Sequence, residues 1–343
     1  MEIRKILVPL SGRFDVDDPE NLDAPALKAS LQMARHLGAR IDVLCVTGPV
    51  APHASDWLSW VPDYGMDAVL HAMEKQGSVR RRHAQKSFET IVESRRDAGD
   101  FSAAFVERAG DIGAVVGSVG RLSDLIVLAS SQSRWDQPFR PILEAALRQT
   151  GRPILVTPTD VPEKTADHIV VAWNDTTEAA RALSGAMPLL KKAASVTVLS
   201  CHEGGGPTEK ADPAQVVDYL ALHGVAASPK VIKAKPRNSA RNIIDASLEL
   251  GADLVVLGSV IHSRTHSLVF GSLTEEVLKA PKLSALLVPE PGSGAATGGT
   301  RGEPDCGVAP TANNDRSANS PSSDLVGRKA RNVSCRAFAP PTR

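Results

Sequence analysis

The sequence repeats itself, and this repeat constrains the fold more than any other feature of the chain. Four short apolar runs of the first half return in the same order in the second half: 6–11 and 169–174, 41–45 and 196–200, 124–130 and 253–259, and 153–156 and 285–288. A repeat of this order indicates two copies of one structural plan. The chain has 343 residues, which is enough for two domains of ordinary size.

Helical patterns lie between the apolar runs. Residues 24–37 and 177–191 follow the first run of each half, and residues 111–122 and 239–250 precede the fourth strand. Strands that alternate with helices predict parallel βαβ units, and continuous apolar strands predict a sheet covered on both faces. Aromatic residues make up only 4% of the chain, so Val, Ile, Leu and Ala must form the cores. The predicted fold class is α/β, with two doubly wound, parallel, five-stranded, Rossmann-like sheets and helices on both faces.

Prolines near residue 160 and a change of composition near residue 291 divide the chain into three segments. We expect an α/β domain at 1–160, a second one at 161–290, and a tail at 291–343. Gly, Ser, Ala, Asn, Thr and Pro dominate the tail, which has no apolar periodicity. Such a segment cannot bury enough apolar surface to offset the entropy lost on ordering, so we expect it to be disordered.

The first half carries two insertions that the second half lacks. One, at 12–22, is acidic and polar; the other, at 48–65, contains two tryptophans and precedes a long helical stretch at 66–97. The tryptophans predict either a lid on their own domain or a contact with another domain or chain, because amphipathic aromatic residues favour interfaces. Three successive arginines at 80–82 predict either a solvated helix face or a patch for an anion or a partner.

The charge balance and the cysteines limit the classes of function. With 39 basic and 39 acidic residues the chain has no global field for nucleic acid or an anionic membrane, and we expect neither as a partner. Cys45 and Cys201 end apolar runs and are predicted to be buried free thiols. No CxxC pair or His partner has metal-site spacing, so no metal ligands are predicted. The chain shows no signal sequence, and we expect a cytoplasmic protein.

A candidate ligand site follows the fourth strand of the second half. In doubly wound sheets ligands bind at the carboxyl ends of strands where the winding reverses. The loop from Gly258 to Ser272 has a glycine at its first position and another, Gly271, just before its last. Glycines allow close approach of phosphates, and a helix follows the loop. His262, Arg264 and His266 add donor or cationic side chains to the same loop.

This loop resembles the nucleotide-binding loop of universal stress proteins, which is written G-x2-G-x9-G-[ST]. Gly258, Gly271 and Ser272 match the pattern, whereas Ile261 stands in place of the middle glycine. An isoleucine would be strained there if the position required a positive φ, so either the loop takes another path or it does not grip phosphates. The opening run at 169–174 and the closing run at 286–289 are also similar to this family.

The resemblance implies an ATP-binding fold, with the base near the end of the first strand and the phosphates on the glycine loop. Mg²⁺ could accompany the nucleotide. The residues that the resemblance assigns to the nucleotide site are Ala172, Trp173, Asn174, Gly258, Ser259, His262, Arg264, Gly271 and Ser272. We predict no catalytic residues.

The first half departs from the same pattern. Ala129 stands where the second half has Gly258, and Ile142 stands where it has Gly271. Pro138 and Pro141 fall in the corresponding loop and remove backbone N–H donors. We therefore expect the first half to have lost its nucleotide site.

Three functions fit these observations. The first is a nucleotide-binding stress or signalling module that is not an enzyme and shows at most slow ATP hydrolysis. The second is a nucleotide-free scaffold that binds a protein partner. The third is an adenylyl-transferring enzyme, which would need catalytic lysines or histidines near the first strand, and the segments 9–12 and 173–176 include none.

Related domains pair through their last strands. Here the two copies could make that pairing internally, 154–156 against 286–288, and form an intramolecular pseudo-dimer. Further association into a homodimer could use the insertion with the tryptophans.

Overall fold

The computed structural model describes most of the chain before residue 290. The described residues are 2–12, 22–47, 63–98, 101–130, 139–202, 211–233, 239–258, 261–262, 269–270, 272–279 and 282–289. The predicted tail at 291–343 lies outside these residues, as do most of the two insertions predicted at 12–22 and 48–65.

The first half alternates strands and helices. In chain order it contains β1 (Lys5–Leu10), α1 (Ala24–Leu37), β2 (Arg40–Thr47), α2 (Asp63–Ile91), a 3₁₀ turn (Glu93–Ala98), β3 (Ala103–Ala109), α3 (Ile112–Gly120), β4 (Leu125–Ala129), α4 (Phe139–Gln149) and β5 (Ile154–Thr157). The helix α1 has the predicted bounds, and Pro25 in its first turn and Gly38 just after it, at φ 68°, explain where it starts and stops. The long stretch predicted at 66–97 is α2 followed by the 3₁₀ turn.

The second half follows the same plan. It contains β6 (His168–Ala172), α5 (Thr177–Leu190), β7 (Ser195–His202), α6 (Pro213–Leu222), β8 (Ser228–Lys233), α7 (Ser239–Glu249), β9 (Leu254–Gly258), β10 (Ile261–His262), β11 (Val269–Phe270), α8 (Ser272–Lys279) and β12 (Ser284–Val288). The helix α5 has a Thr176 side chain that accepts a hydrogen bond from the Ala179 N–H, which is the usual N-cap.

The main strands form one ten-stranded sheet, in the order β3-β2-β1-β4-β5-β12-β9-β6-β7-β8. Within each half the strands are parallel and share one order, whereas β5 and β12 run antiparallel to each other. The two predicted five-stranded sheets are therefore edge-joined through their last strands. The residue pairs at the junction are Val156 with Ala285, Leu155 with Leu286, and Ile154 with Leu287. The predicted pairing is confirmed with a register shifted by one residue.

Helices cover both faces of the sheet, as predicted. The buried cluster on one face includes residues of α1, α2, α5 and α6. The cluster on the other face includes residues of α3, α4, α7 and α8. Leu, Ile, Val and Ala dominate both clusters, as the low aromatic content requires. Cys45 and Cys201 are both buried and neither forms a disulfide, which confirms that prediction.

The outer strands β3 and β8 are not among the apolar runs of the repeat. Their residues are mostly half-buried or exposed, because each has a neighbouring strand on only one side. In β8, Pro229 and two lysines occupy this edge, a composition that discourages further strand pairing. A search for apolar runs misses strands of this kind.

An aspartate that precedes the fourth strand of each half explains part of the repeat. The Asp124 carboxylate accepts hydrogen bonds from the backbone N–H groups of Arg4 (2.9 Å) and Lys5 (3.0 Å). The Asp253 carboxylate accepts three such bonds from residues 166–168, at 2.8, 3.0 and 3.0 Å. Each aspartate thus anchors the start of the first strand of its own half.

Candidate functional site

The predicted site lies where β6 and β9 end. These strands are parallel neighbours, and Val171 is in register with Val256. The turn after Ala172 and the loop after Gly258 therefore leave the same edge of the sheet side by side. This arrangement brings together the two groups of residues that were predicted to bind a base and phosphates.

The end of β6 changes from buried to exposed within three residues. Ala172 is buried, Trp173 is half-buried and packs against the core on the α5 side, and Asn174 is exposed. The Trp173 N–H donates to the Leu199 carbonyl at 2.9 Å, which extends the ladder with β7 by one residue. Asn174 is thus the first exposed residue after β6.

The turn between β6 and α5 has a left-handed residue. Asp175 adopts φ 58°, a conformation that Asp and Asn tolerate better than most residues. The Thr176 hydroxyl donates to the Asn174 side-chain oxygen at 2.9 Å and accepts from the Ala179 N–H at 3.3 Å. The Asn174 side-chain oxygen is therefore held by the residue that caps α5.

The corresponding turn of the first half also has a left-handed residue, but other groups contact it. Gly12, the counterpart of Asp175, has φ 63°. The Asp23 carboxylate accepts hydrogen bonds from the Ser11 N–H, the Ser11 hydroxyl and the Gly12 N–H, each at 2.8 Å. A Cβ on Gly12 would lie 2.9 Å from both Cβ and the carbonyl oxygen of Arg80, so α2 contacts this turn directly.

Asp23 is an element of the site region that sequence reasoning missed. Its side chain is 6% exposed, and burial raises the pKa of its carboxyl while the three hydrogen bonds from Ser11 and Gly12 act in the opposite direction. Its only signal was its place just before α1, which is typical of a helix cap. The side chain turns instead to the strand end and closes it.

The three arginines at 80–82 have different surroundings. Arg80 is half-buried beside Gly12, and burial lowers the pKa of its guanidinium. Arg81 forms an ion pair with Glu107 at 2.9 Å, and Arg82 is exposed. The triplet therefore includes one packed residue, one paired residue and one solvated residue, rather than a single uniform face.

Cys45 lies near the end of β2, in the same region of the first half. Burial, followed by the nearby Glu107, raises the pKa of its thiol to about 11. A thiol with this pKa is protonated at neutral pH, so Cys45 has the properties of a core residue rather than of a nucleophile.

Gly258 has a packing role that the sequence does not reveal. A Cβ at this position would lie 2.6 Å from the Glu178 carbonyl carbon and 2.8 Å from the Ala179 nitrogen. The end of β9 therefore touches the first turn of α5 with no room for a side chain. Beside it, the pKa of Glu178 is held below its usual value, first by a hydrogen bond from its own backbone N–H.

The loop itself is described only in part. Ile261 and His262 form β10 and pair antiparallel with Phe270 and Val269 of β11. An extended backbone suits a β-branched residue, so the strained conformation considered for Ile261 does not arise. The helix α8 begins at Ser272, where the predicted phosphate site would be. The predicted site residues Ser259, Arg264 and Gly271 lie outside the described residues.

No group of three or more His, Cys, Asp or Glu residues in the described part of the chain could hold a metal ion. None of the helices within the ranges given above is both long and apolar enough to cross a membrane.

Comparison with known proteins gives one family match and a set of shared folds. The model of the Universal stress protein family matches residues 165–289. No curated protein gives a significant match. A crystal structure of a universal stress protein from Archaeoglobus fulgidus superposes with a TM-score of 0.60 and 16% identity, covering 83% of this chain and 98% of that one. A functionally unknown protein from Pseudomonas aeruginosa superposes with a TM-score of 0.50 and 18% identity, covering 84% and 92%.

These identities show a common fold, and the sequence match covers the half that contains β6 to β12. Residues 165–289 therefore form a domain of the Universal stress protein family, within a chain that has the fold of a solved universal stress protein.

Proposed function

We propose that the chain is a tandem universal stress protein and that its second half binds a nucleotide, with ATP as the first candidate. It acts as a binding and signalling module rather than as an enzyme. The observation that carries the proposal is the contrast between the two first-strand turns. They share a left-handed residue, yet the first is closed by Asp23 and α2, and the second is exposed.

The exposed turn keeps donors for a ligand. Within the described residues the N–H groups of Asn174 and Asp175 have no acceptor, whereas the equivalent groups of Ser11 and Gly12 donate to Asp23. Successive N–H groups around a left-handed residue form a concave donor site that suits oxygen atoms of a ligand. A nucleotide that lies across this edge could contact them while its phosphates approach the loop between β9 and α8.

The start of α8 supports the position of the phosphates. Ser272 is the first residue of the helix, and the N–H groups of a first helical turn have no acceptor within the helix and lie at the positive end of the helix dipole. The loop leaves the sheet at Gly258, beside the turn after β6. Both parts of a nucleotide site would thus belong to the second half.

A nucleotide-free scaffold is the second candidate, and one observation favours it. Gly258 is required for the contact between β9 and α5, so its presence does not need a phosphate to explain it. In this case the second half would keep the family fold for association with a protein partner alone.

Isothermal titration calorimetry with ATP distinguishes the two candidates. We expect saturable binding with a Kd below about 1 mM, roughly the weakest affinity that defines a site. Gly271→Asp places a negative charge in the predicted phosphate loop and should abolish binding. Asn174→Ala should weaken binding, whereas the matched first-half variant Ser11→Ala should bind as the wild type does. An absence of heat up to about 1 mM ATP would support the scaffold.

A further inference from the structure

The two halves meet along a second contact besides the paired strands. The Gln32 side chain of α1 donates to the Pro162 carbonyl at 2.8 Å and accepts from the Thr165 hydroxyl at 2.7 Å. The Lys192 ammonium, which follows α5, donates to the His36 carbonyl at 2.9 Å. We call these five residues the seam. It joins α1 of the first half to the connecting segment and to the end of α5.

His36 is the exceptional residue of the seam. Counted from the first residue of each helix, it occupies the position in α1 that Leu189 occupies in α5. Leu189 is fully buried. The Nε2 atom of His36 is also buried, and within the described residues it has no hydrogen-bond partner. A titratable ring thus stands where the repeat places an aliphatic side chain.

Charged groups of both signs lie near the ring. Lys192 is a like charge, and Asp167 and Asp253 are opposite charges. Both carboxylates already have partners, however: Asp167 accepts from the Lys164 ammonium at 2.9 Å, and Asp253 accepts three backbone N–H bonds. A protonated ring would add an N–H at a buried position that offers it no acceptor, beside an ammonium group.

Burial, followed by the charge of Lys192, lowers the pKa of His36 below 6.5. A histidine whose pKa is lowered by folding contributes full stability above the unfolded value. That contribution is lost as the pH falls through the folded value, because the unfolded chain then binds the proton more readily. The lowered pKa and the buried position of the ring therefore both oppose protonation of His36 in the folded chain.

We propose that the seam is a proton-sensitive contact, in which protonation of His36 in mild acid weakens the attachment of α1 to the second half. The contact is intact at neutral pH, where the ring is uncharged and packs as an aliphatic residue would. In mild acid the ring and Lys192 repel each other, and the bond from Lys192 to the His36 carbonyl is strained by that repulsion. The halves then remain joined by β5 and β12 and by the buried clusters on the two faces of the sheet. This inference does not depend on nucleotide binding.

The test is the pH dependence of thermal unfolding in the full chain. When the pH falls from about 7.5 to about 5.5, we expect the Tm of both proteins to decrease. The decrease for the wild type should exceed the decrease for His36→Leu by about 2 °C or more. His71→Gln is the matched control, since His71 is exposed and lies on α2. It should keep the wild-type pH dependence. The proposal is overturned if His36→Leu loses as much stability in acid as the wild type does.

Two further measurements keep the test decisive if the leucine variant does not fold. His36→Gln stays uncharged throughout and should show the same reduced sensitivity to acid. The ring signals of His36 followed by NMR during a pH titration should give a pKa below about 6.5. A midpoint at or above that value would contradict the proposal.

Discussion

The two halves share a backbone plan but differ where their first strands end. Both have the strand order 3-2-1-4-5 from the edge to the junction, and both anchor the first strand with an aspartate before the fourth. Both place a left-handed residue after the first strand. In the first half a buried carboxylate and the helix α2 fill that turn, and in the second half it is open. The comparison teaches that the fold and the site can diverge independently within one repeat.

The largest expected effect comes from opening the closed turn. Asp23→Ala removes the acceptor of three hydrogen bonds, two of them from the backbone N–H groups of Ser11 and Gly12. We expect the free energy of unfolding to fall by about 3 kcal/mol, measured by urea denaturation. Asp23→Asn keeps one acceptor but sets an NH₂ group against these donors, so it should also be destabilised. Asn174→Ala in the open turn should change stability by less than about 1 kcal/mol. Equal losses for Asp23→Ala and Asn174→Ala would remove the distinction between the two turns.

The second prediction concerns the end of the fourth strand in each half. Gly258→Ala places a Cβ against the backbone of Glu178 and Ala179, so we expect a loss of about 2 kcal/mol in urea denaturation. The matched exchange in the first half, Ala129→Gly, removes a side chain that is already accommodated. It should cost about 1 kcal/mol or less. If Gly258→Ala were as stable as the wild type, the close approach of β9 and α5 would not be the reason for a glycine.

The smallest expected effect concerns the left-handed residue itself. Asp175→Gly relieves the cost of a positive φ and should change the free energy of unfolding by about 1 kcal/mol or less, towards greater stability. The reciprocal change Gly12→Asp should destabilise clearly, because Arg80 occupies the space that a side chain needs. Differential scanning calorimetry of the pair would show opposite shifts in Tm. Shifts of the same sign would mean that the two turns are not equivalent.

The sequence predicted the features that depend on local pattern. Apolar runs predicted the inner strands, and alanine-rich segments predicted α1 and α5 to within a residue. The pairing of 154–156 with the last strand was predicted from the resemblance to related domains. The outer strands β3 and β8 were not predicted because each has a neighbouring strand on only one side. Their residues are therefore only partly buried, and their sequences are not apolar runs. The sheet is also continuous across the two halves, because their last strands, β5 and β12, pair with each other.

The site was harder to predict because its character depends on residues brought together from distant positions. Asp23 carried no prediction, and only the fold shows that its carboxylate reaches back to Ser11 and Gly12. Gly258 looked like a phosphate-loop glycine, and only the fold shows that it faces the backbone of α5. Ile261 looked unsuited to the loop, yet it lies in a strand. None of these contacts leaves a periodic signal in the sequence.

The most direct test of the contrast between the halves is the number of ATP molecules bound per chain, measured by calorimetry at protein concentrations near the Kd. We predict one molecule per chain, lost in Gly271→Asp and kept in Ser11→Ala. Two molecules per chain would show that the first turn is open despite Asp23, and one molecule that persists in Gly271→Asp would place the site outside the second-half loop. Either result would contradict the assignment of the closed and open turns.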